Sequence, residues 1–199
     1  MCGDAMRFRP GVAFAAALVA IFVAWQWLRD RPIMWQEEVL LASGSRLWVE
    51  RQVQPEHRGR FGSVIGGWRS KGGYLKPLSG SDRPLPGTWI HKLIPMRLDW
   101  DEVDNEWYLV VTYYGSAEHH ELGRPKSPYF DYRYRRSAWV LLGALPDRRF
   151  GLPANLLVSI DGTGEPAQID SAAKAARDAE SRASKEFRSI QRDLDTRGW

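Results

Sequence analysis

A mainly β domain, set between an N-terminal membrane anchor and an alanine-rich C-terminal helix, is the fold class that three features of this sequence predict. Residues 11–28 contain no charge and one frankly polar side chain, Gln26. Over most of residues 37–160 the apolar positions recur with a period of two rather than 3.6, the mark of half-buried strands. After residue 164 the composition turns to alanine and alternating charge. Five segments follow: a leader (1–10), an anchor (11–28), a juxtamembrane linker (29–36), an antiparallel β-domain built as a sandwich or partly open barrel (37–163), and a helical tail (164–199).

As a helix, residues 11–28 span roughly 27 Å, close to the hydrocarbon thickness of a thin bilayer. A cleaved signal peptide fits the segment less well. Its small-x-small triplet, Ala15-Ala16-Ala17, lies early in the run, and Trp25, Trp27 and Leu28 occupy the far end where a peptidase needs small residues. Both tryptophans suit the headgroup belt. Arg7 and Arg9 precede the run and Arg29 and Arg31 follow it, so charge sets orientation weakly. A short leader before an apolar run behaves as a signal anchor, which places the following domain in the periplasm and the chain in the inner membrane as a single-pass protein. A domain left in the cytosol is the alternative.

The lone cysteine, Cys2, leaves everything after the anchor without disulfide or thiolate chemistry. No apolar stretch precedes it, which argues against lipidation there. The chain carries 28 basic and 24 acidic residues. With Arg7, Arg9 and Asp4 set aside, residues 29–199 hold 26 against 23, too even a balance to call for nucleic acid.

Within the β-domain, Val39-Leu40-Leu41 and Leu47-Trp48-Val49 flank Ala42-Ser43-Gly44-Ser45 and predict a hairpin. A strand is expected near Val64-Ile65, with Gly66-Gly67 marking a bulge, and residues 72–87 read as a loop because of Pro77, Pro84 and Pro86. Residues 88–94 and 96–100 rise to an acidic turn. The descending strand 107–114 is apolar or aromatic on both faces, which predicts a central strand. Phe130, Tyr132 and Tyr134 alternate with Asp131, Arg133 and Arg135, predicting a hairpin to 139–142 with one solvated face. Residues 156–160 supply a last candidate strand. Asp170 or Ser171 caps a helix expected to reach Leu194, with Ala172, Ala176, Ala179, Ala183, Phe187, Ile190 and Leu194 as a narrow apolar stripe.

Several constellations bear on chemistry. Glu118-His119-His120-Glu121 offers two imidazoles and two carboxylates in a loop, competent for zinc or copper, but lacks helical His-Glu-x-x-His spacing. His57 and His91 are isolated. Asp99, Asp101, Glu102, Asp104, Asn105 and Glu106 crowd oxygens into one turn. A calcium loop needs an oxygen ligand and then glycine where Val103 and Asp104 stand, so a solvated turn tip is expected. The glycine-rich stretch 66–73 lacks the Gly-Lys-Ser/Thr ending of a phosphate loop, and no Gly-x-Ser-x-Gly elbow is present. No catalytic, cofactor-binding or metal-binding residue is assigned. Of ten tryptophans, Trp48, Trp107 and Trp139 are expected in the core, while Trp68, Trp89 and Trp100 are candidates for an exposed stacking or protein-binding surface.

The stretch Leu122-Gly123-Arg124-Pro125-Lys126-Ser127-Pro128-Tyr129-Phe130, with Trp139-Val140, Leu145-Pro146 and Asn155-Leu156-Leu157 after it, resembles a pattern in proteobacterial membrane-anchored or lipoprotein-like envelope proteins of no assigned activity. The resemblance covers about the middle third of the chain, implies an envelope protein and transfers no site residues. Members often carry a cysteine ahead of the Leu-Gly-x-Pro segment, where this chain has His119-His120. The expected role is non-enzymatic binding or scaffolding in an envelope assembly, with the bilayer and a protein as partners. An immunity-like block of a periplasmic toxin is one version. The basic stretches 51–76 and 124–149 would favour acidic partner surfaces or anionic headgroups. An envelope enzyme or carbohydrate-binding hydrolase near His119 and His120, or a membrane-tethered cytosolic regulator, are the alternatives.

Overall fold

Nine strands in two sheets account for most of the regular structure in a computed structural model of the chain, which describes residues 17–22, 31–56, 69–113, 116–123, 125–157, 168–180 and 189–192. The chain divides into Met1–Arg31 and Pro32–Trp199. In the first unit, residues 17–22 are helical, and the rest of the apolar run lies outside the described residues. Among the described residues no helix is long and apolar enough to cross a membrane.

In the second unit, β1 (Ile33–Leu40) and β2 (Arg46–Glu56) form the expected hairpin around Gly44, whose φ of +85° favours glycine. β1 starts inside the segment taken as a linker. β3 (Arg69–Ser79) replaces the expected loop over much of 72–87. Its two glycines and Pro77 disguise a strand that pairs along β2, and Pro77 sits beyond the three residues that meet β4 (Trp89–His91). Gly73 is obligatory, because a Cβ there would stand 2.2 Å from the Gln52 carbonyl oxygen. The strand and bulge expected at 64–67 lie outside the described residues.

The second sheet runs β5 (Ile94–Asp101), β6 (Glu106–Thr112), β7 (Phe130–Arg135) and β8 (Ala138–Gly143), all antiparallel. As its two-sided apolar pattern predicts, β6 is interior to the sheet and buried on both faces. Helix α1 (Ser116–Glu121) lies between β6 and β7. The first sheet has the order β4-β3-β2-β1-β9, in which β9 (Gln168–Ile169) pairs parallel with β1. Helix α2 (Ser171–Glu180) follows, with the Asp170 carboxylate accepting the Ala173 N–H at 2.8 Å.

Three apolar clusters hold the unit together. The largest takes Val39, Leu47, Val49 and Leu75 from the first sheet and Leu98, Trp107, Leu109, Val111 and Tyr132 from the second, so the sheets share one core. A second cluster lies on the opposite face of the second sheet, where Met96, Tyr108, Val110 and Tyr129 meet Leu145 and Ile190. The third gathers Trp35, Leu157 and Ile169.

Of the expectations for the late chain, the strand at 156–160 lies mostly outside the described residues, and its first two residues, 156 and 157, are not in a strand; the helix to Leu194 fails. Residues 189–192 are not helical: Gly151 donates to the Ile190 carbonyl at 2.7 Å, Ile190 donates to the Leu152 carbonyl at 2.9 Å, and the Ile190 side chain is fully buried. The alanine stripe is also out of phase. Ala172 and Ala176 are exposed, while Ala173 and Lys174 are partly buried, because Lys174 has a buried carboxylate to reach.

Ile190 therefore behaves as a core residue although it lies near the C-terminal end of the sequence. Ile190→Ala is expected to cost about 2–4 kcal/mol in urea unfolding, against less than about 0.5 kcal/mol for Ala176→Ser on the exposed face of α2.

Candidate functional site

The alternation in β7 brings Asp131, Arg133 and Arg135 to the outer face of the second sheet, but that face is not solvated. Asp131 and Arg133 are buried, and so are Arg97, Asp99 and Asp101 on β5. The cover comes from far along the chain, as residues 145–154 and 189–192 lie over this face. Within the cover, a 3-10 turn at Asp147–Arg149 points Arg148 and Arg149 back at β5. Sequence period reports which residues share a face and says nothing of what covers it, so this ionic layer was missed.

Asp101 is its centre. One oxygen, Oδ1, accepts the backbone N–H groups of Val103 at 3.0 Å and Asp104 at 3.4 Å and shapes the β5–β6 turn. The other, Oδ2, accepts from Arg133 at 3.1 Å, from Arg148 at 2.8 Å and from Arg149. Burial pushes this carboxyl up, and the arginine and backbone donors more than offset it, holding it far below the ordinary aspartate range. Arg133 also reaches Asp131, Asp104 and Glu106, and Arg135 grips Glu106 with two nitrogens at 2.6 and 2.7 Å. The Arg149 guanidinium stacks 3.2 Å from the Tyr108 ring centre. Asp131 differs from its neighbours: burial raises its carboxyl above the usual range, its Arg133 contact only partly compensates, and its Oδ1 has no partner.

Asp99 and Asp101 share this face yet serve different elements. Asp99 pairs with Arg97 and accepts the Ala42 N–H at 3.0 Å, tying β5 to the β1–β2 turn. Arg97 donates in turn to Tyr108 Oη at 3.0 Å and to the Pro153 carbonyl at 2.7 Å. The expected solvated tip survives at residues 102–105, all exposed, where Glu102 pairs with Arg83 at the surface.

A second ionic centre forms at Glu37, fully buried on the core face of β1. It accepts from Arg51 at 2.8 Å, from the Trp35 indole at 3.3 Å, from the Leu157 N–H at 2.8 Å and from Lys174 Nζ at 2.8 Å. Burial raises this carboxyl, while Lys174 and then Arg51 more than compensate and hold it below the ordinary range. Neighbouring Glu38 accepts from both the Ser171 hydroxyl at 2.6 Å and its N–H at 3.1 Å.

The histidines are not assembled into a site. His119 and His120 lie on α1 rather than in a loop; the His119 ring stacks on Tyr113 at 5.6 Å and its Nε2 lies 3.3 Å from the Pro125 carbonyl oxygen. Glu121 is committed to Lys92 at 2.7 Å. His91 stacks on Trp89, its Nδ1 accepts the Leu93 N–H at 3.2 Å, and burial with nearby Lys92 lowers its pKa. Among the described residues no group of three His, Cys, Asp or Glu side chains is placed to hold a metal ion. His57 and residues 66–68 lie outside the described residues, and residues 69–73 of the glycine-rich stretch begin β3. Of the tryptophans expected at the surface, Trp89 is buried and Trp100 is partly buried beneath Arg83. Trp107 fills the core as expected, Trp139 packs against it and donates to the Gly87 carbonyl, and Trp48 is half-buried on the face of β2 away from the core.

What remains open on this surface is a strand edge. Three of the four sheet edges are blunted. β4 and β9 are three and two residues long. β5 is bulged at Pro95 and covered by Asn155, whose side chain accepts the Leu98 N–H at 3.0 Å and donates to the Leu98 carbonyl at 2.8 Å. β8, with the sequence AWVLLG, is six residues long, carries no charge, and leaves Val140, Leu141 and Leu142 between 41% and 48% exposed. Among the described residues no strand pairs with its outer edge.

Comparison of the chain with protein-family models, with curated proteins and with solved structures finds no match.

Asp101 and Asp131, both buried on the second sheet, are expected to respond differently to neutralisation. Asp101→Asn leaves three guanidiniums around a neutral amide and should cost about 3–5 kcal/mol in urea unfolding at neutral pH. Asp131→Asn keeps an acceptor for Arg133 and removes a charge that burial disfavours, so it should cost about 1 kcal/mol or less. Glu37, Glu38, Asp101 and Glu106 sit below their ordinary values of 4.5 for glutamate and 3.8 for aspartate. Their contribution is present above those values and is lost as pH falls through the folded-state pKa values. Asp131, being raised, contributes in the opposite sense. The urea midpoint should accordingly decline from about pH 5 downward, and decline more steeply in Asp131→Asn.

Proposed function

We propose that this chain is a single-pass inner-membrane protein that presents a periplasmic β-sandwich for non-enzymatic binding within an envelope assembly. The observation that carries the binding reading is β8. Natural sheets blunt long edges with charge, proline, bulges or covering segments, and this domain does so at every described edge except one. A six-residue apolar edge with free backbone groups suits strand addition, in which main-chain hydrogen bonds give affinity and alternate side chains give register.

The ionic groups support the same reading. Asp101, Glu106 and Glu37 are saturated with cationic partners, which leaves none of them poised as a general base or nucleophile. The imidazole of His119 is engaged with Tyr113 and Pro125, so an envelope hydrolase at His119 and His120 gains no reacting pair from this geometry. The anchor and the envelope resemblance at residues 122–130 rest on the sequence, where the uncharged run 11–28 and its tryptophans support a membrane anchor and the short leader before the run supports export. A tethered cytosolic regulator is the competing placement.

Fusions after Trp199 test placement: a phosphatase active only in the periplasm should be active in the membrane fraction, and a fluorescent protein that matures only in the cytosol should stay dark. The reverse pattern would overturn export. A photo-reactive residue at Val140 should give a discrete adduct in membranes, whereas one at Glu102 on the β5–β6 turn should give none. The double substitution His119→Ala and His120→Ala should leave that adduct unchanged.

A further inference from the structure

We infer that the first sheet makes a second membrane contact: at the end where the chain enters it, the outer face of β1 to β4 lies on the anionic headgroup layer of the bilayer that holds the anchor. This rests on the anchor read from residues 11–28 and goes beyond it, because it sets a surface of the β-domain against lipid.

Strand register builds that surface as a row. Met34 on β1 stands opposite Gln52 on β2, Gln52 opposite Tyr74 on β3, and Tyr74 opposite Ile90 on β4. Alternation turns these four away from the shared core, since their neighbours Trp35, Arg51, Leu75 and Trp89 are buried. Met34 is 51% exposed and Ile90 75%. With strands about 4.8 Å apart, the row is about 14 Å long. Tyr74 lies within it and donates its hydroxyl to Glu50 at 2.8 Å, so the carboxylate next along β2 on this face is already engaged. A tyrosine with a polar tip, flanked by exposed aliphatic side chains, suits a boundary that is apolar on one side and wet on the other.

The place of the row in the chain selects lipid as its occupant. β1 starts at Ile33, five positions after Leu28 at the end of the apolar run. From Leu28 to Met34 the chain cannot exceed about 22 Å even at full extension. β2 ends and β3 begins at this same end of the sheet, because Ile33 pairs with Val53 and Val53 with Gly73. The sequence there is basic: between residues 52 and 71, Arg58, Arg60, Arg69 and Lys71 stand against the single carboxylate Glu56. Arg31 and Lys71 are exposed. Cations beside an apolar row, tethered this close to a bilayer, match anionic headgroups in both charge and polarity. A protein partner would cover the apolar row as well, but would not account for its position one residue pair in from where the chain arrives.

The test uses the full chain, Cys2→Ser with a fluorophore on Ile90→Cys, reconstituted in phosphatidylethanolamine and phosphatidylglycerol vesicles that contain a lipid quencher at headgroup depth. Quenching should exceed that of the same label on Glu102→Cys, on the β5–β6 turn, by about threefold or more. Vesicles of phosphatidylcholine alone should lower the contrast. Adding Met34→Asp, which sets a carboxylate against the anionic surface, should bring it near the Glu102 level, and an unchanged urea midpoint shows that the loss is not unfolding. The lipid comparison needs no such variant. Flotation of the vesicles in alkaline carbonate reads the anchor separately. A chain that floats but is quenched equally at both positions overturns the docking and leaves the anchor standing; a chain that does not float overturns both. Protection of position 90 in native membranes with none in lipid vesicles would identify a protein occupant and overturn the lipid assignment.

Discussion

The Asp101 carboxylate is the constraint around which the second sheet and its cover are arranged. One oxygen shapes the turn that returns β5 into β6, and the other gathers three guanidiniums from β7 and the 3-10 turn. Residues 145–157 have little regular structure of their own, so something other than a backbone ladder must fix them over the sheet. Arg148 and Arg149 supply that attachment, and Leu145 packs beside it in the second apolar cluster. Buried charge is seldom a net gain over a well-packed apolar core. Its use here is geometric, since a carboxylate with its acceptor sites filled by named donors admits one placement of the cover and penalises sliding.

Glu37 does the same on the first sheet. A late segment at Leu157 and a late helix at Lys174 both end on its two oxygens, while Arg51 and Trp35 hold it from β1 and β2. Each sheet thus keeps an acidic socket, and segments after residue 145 help to fill it. Asn155 joins the two arrangements: its side chain completes the backbone pairing of Leu98 on β5 and also donates to the Leu40 carbonyl on β1, while its carbonyl accepts from Lys174.

Much of the β architecture was legible. The double-sided apolar run of β6 reports its own burial, the alternation of β7 reports which of its residues share a face, and the turn at Gly44 marks the first hairpin. What escaped was contact between distant segments. Arg133 and Asp131 look solvated because alternation cannot show that residues 145–154 and 189–192 lie on top of them. β3 escaped because glycine and proline argue against a strand, although Gly73 is there to let Gln52 approach and Pro77 lies beyond the part of β3 that pairs with β4. Ile190 was placed on a helical stripe by its spacing, and its actual partners, Leu152 and Gly151, lie about forty residues earlier. The exposed edge of β8 was present in the sequence as an uncharged hexapeptide, but an apolar run looks the same whether it is covered or bare.

The parallel pairing of β9 with β1 has a consequence for assembly of the molecule. Gln36 and Gln168 are hydrogen-bonded across 132 positions of sequence, and the contacts of Glu37 with Leu157 and Lys174 span 120 and 137. Contacts of such separation carry a large loop-closure entropy and form late. A chain that emerges from a ribosome or a translocation pore amino end first must therefore hold β1 with an open flank, and Glu37 without its lysine, until nearly all of the domain has appeared. During that interval two adjacent glutamates, Glu37 and Glu38, keep the unfinished strand hydrated and charged, which delays its collapse and discourages premature association. The same residues that lock the finished domain act as gatekeepers for the nascent one.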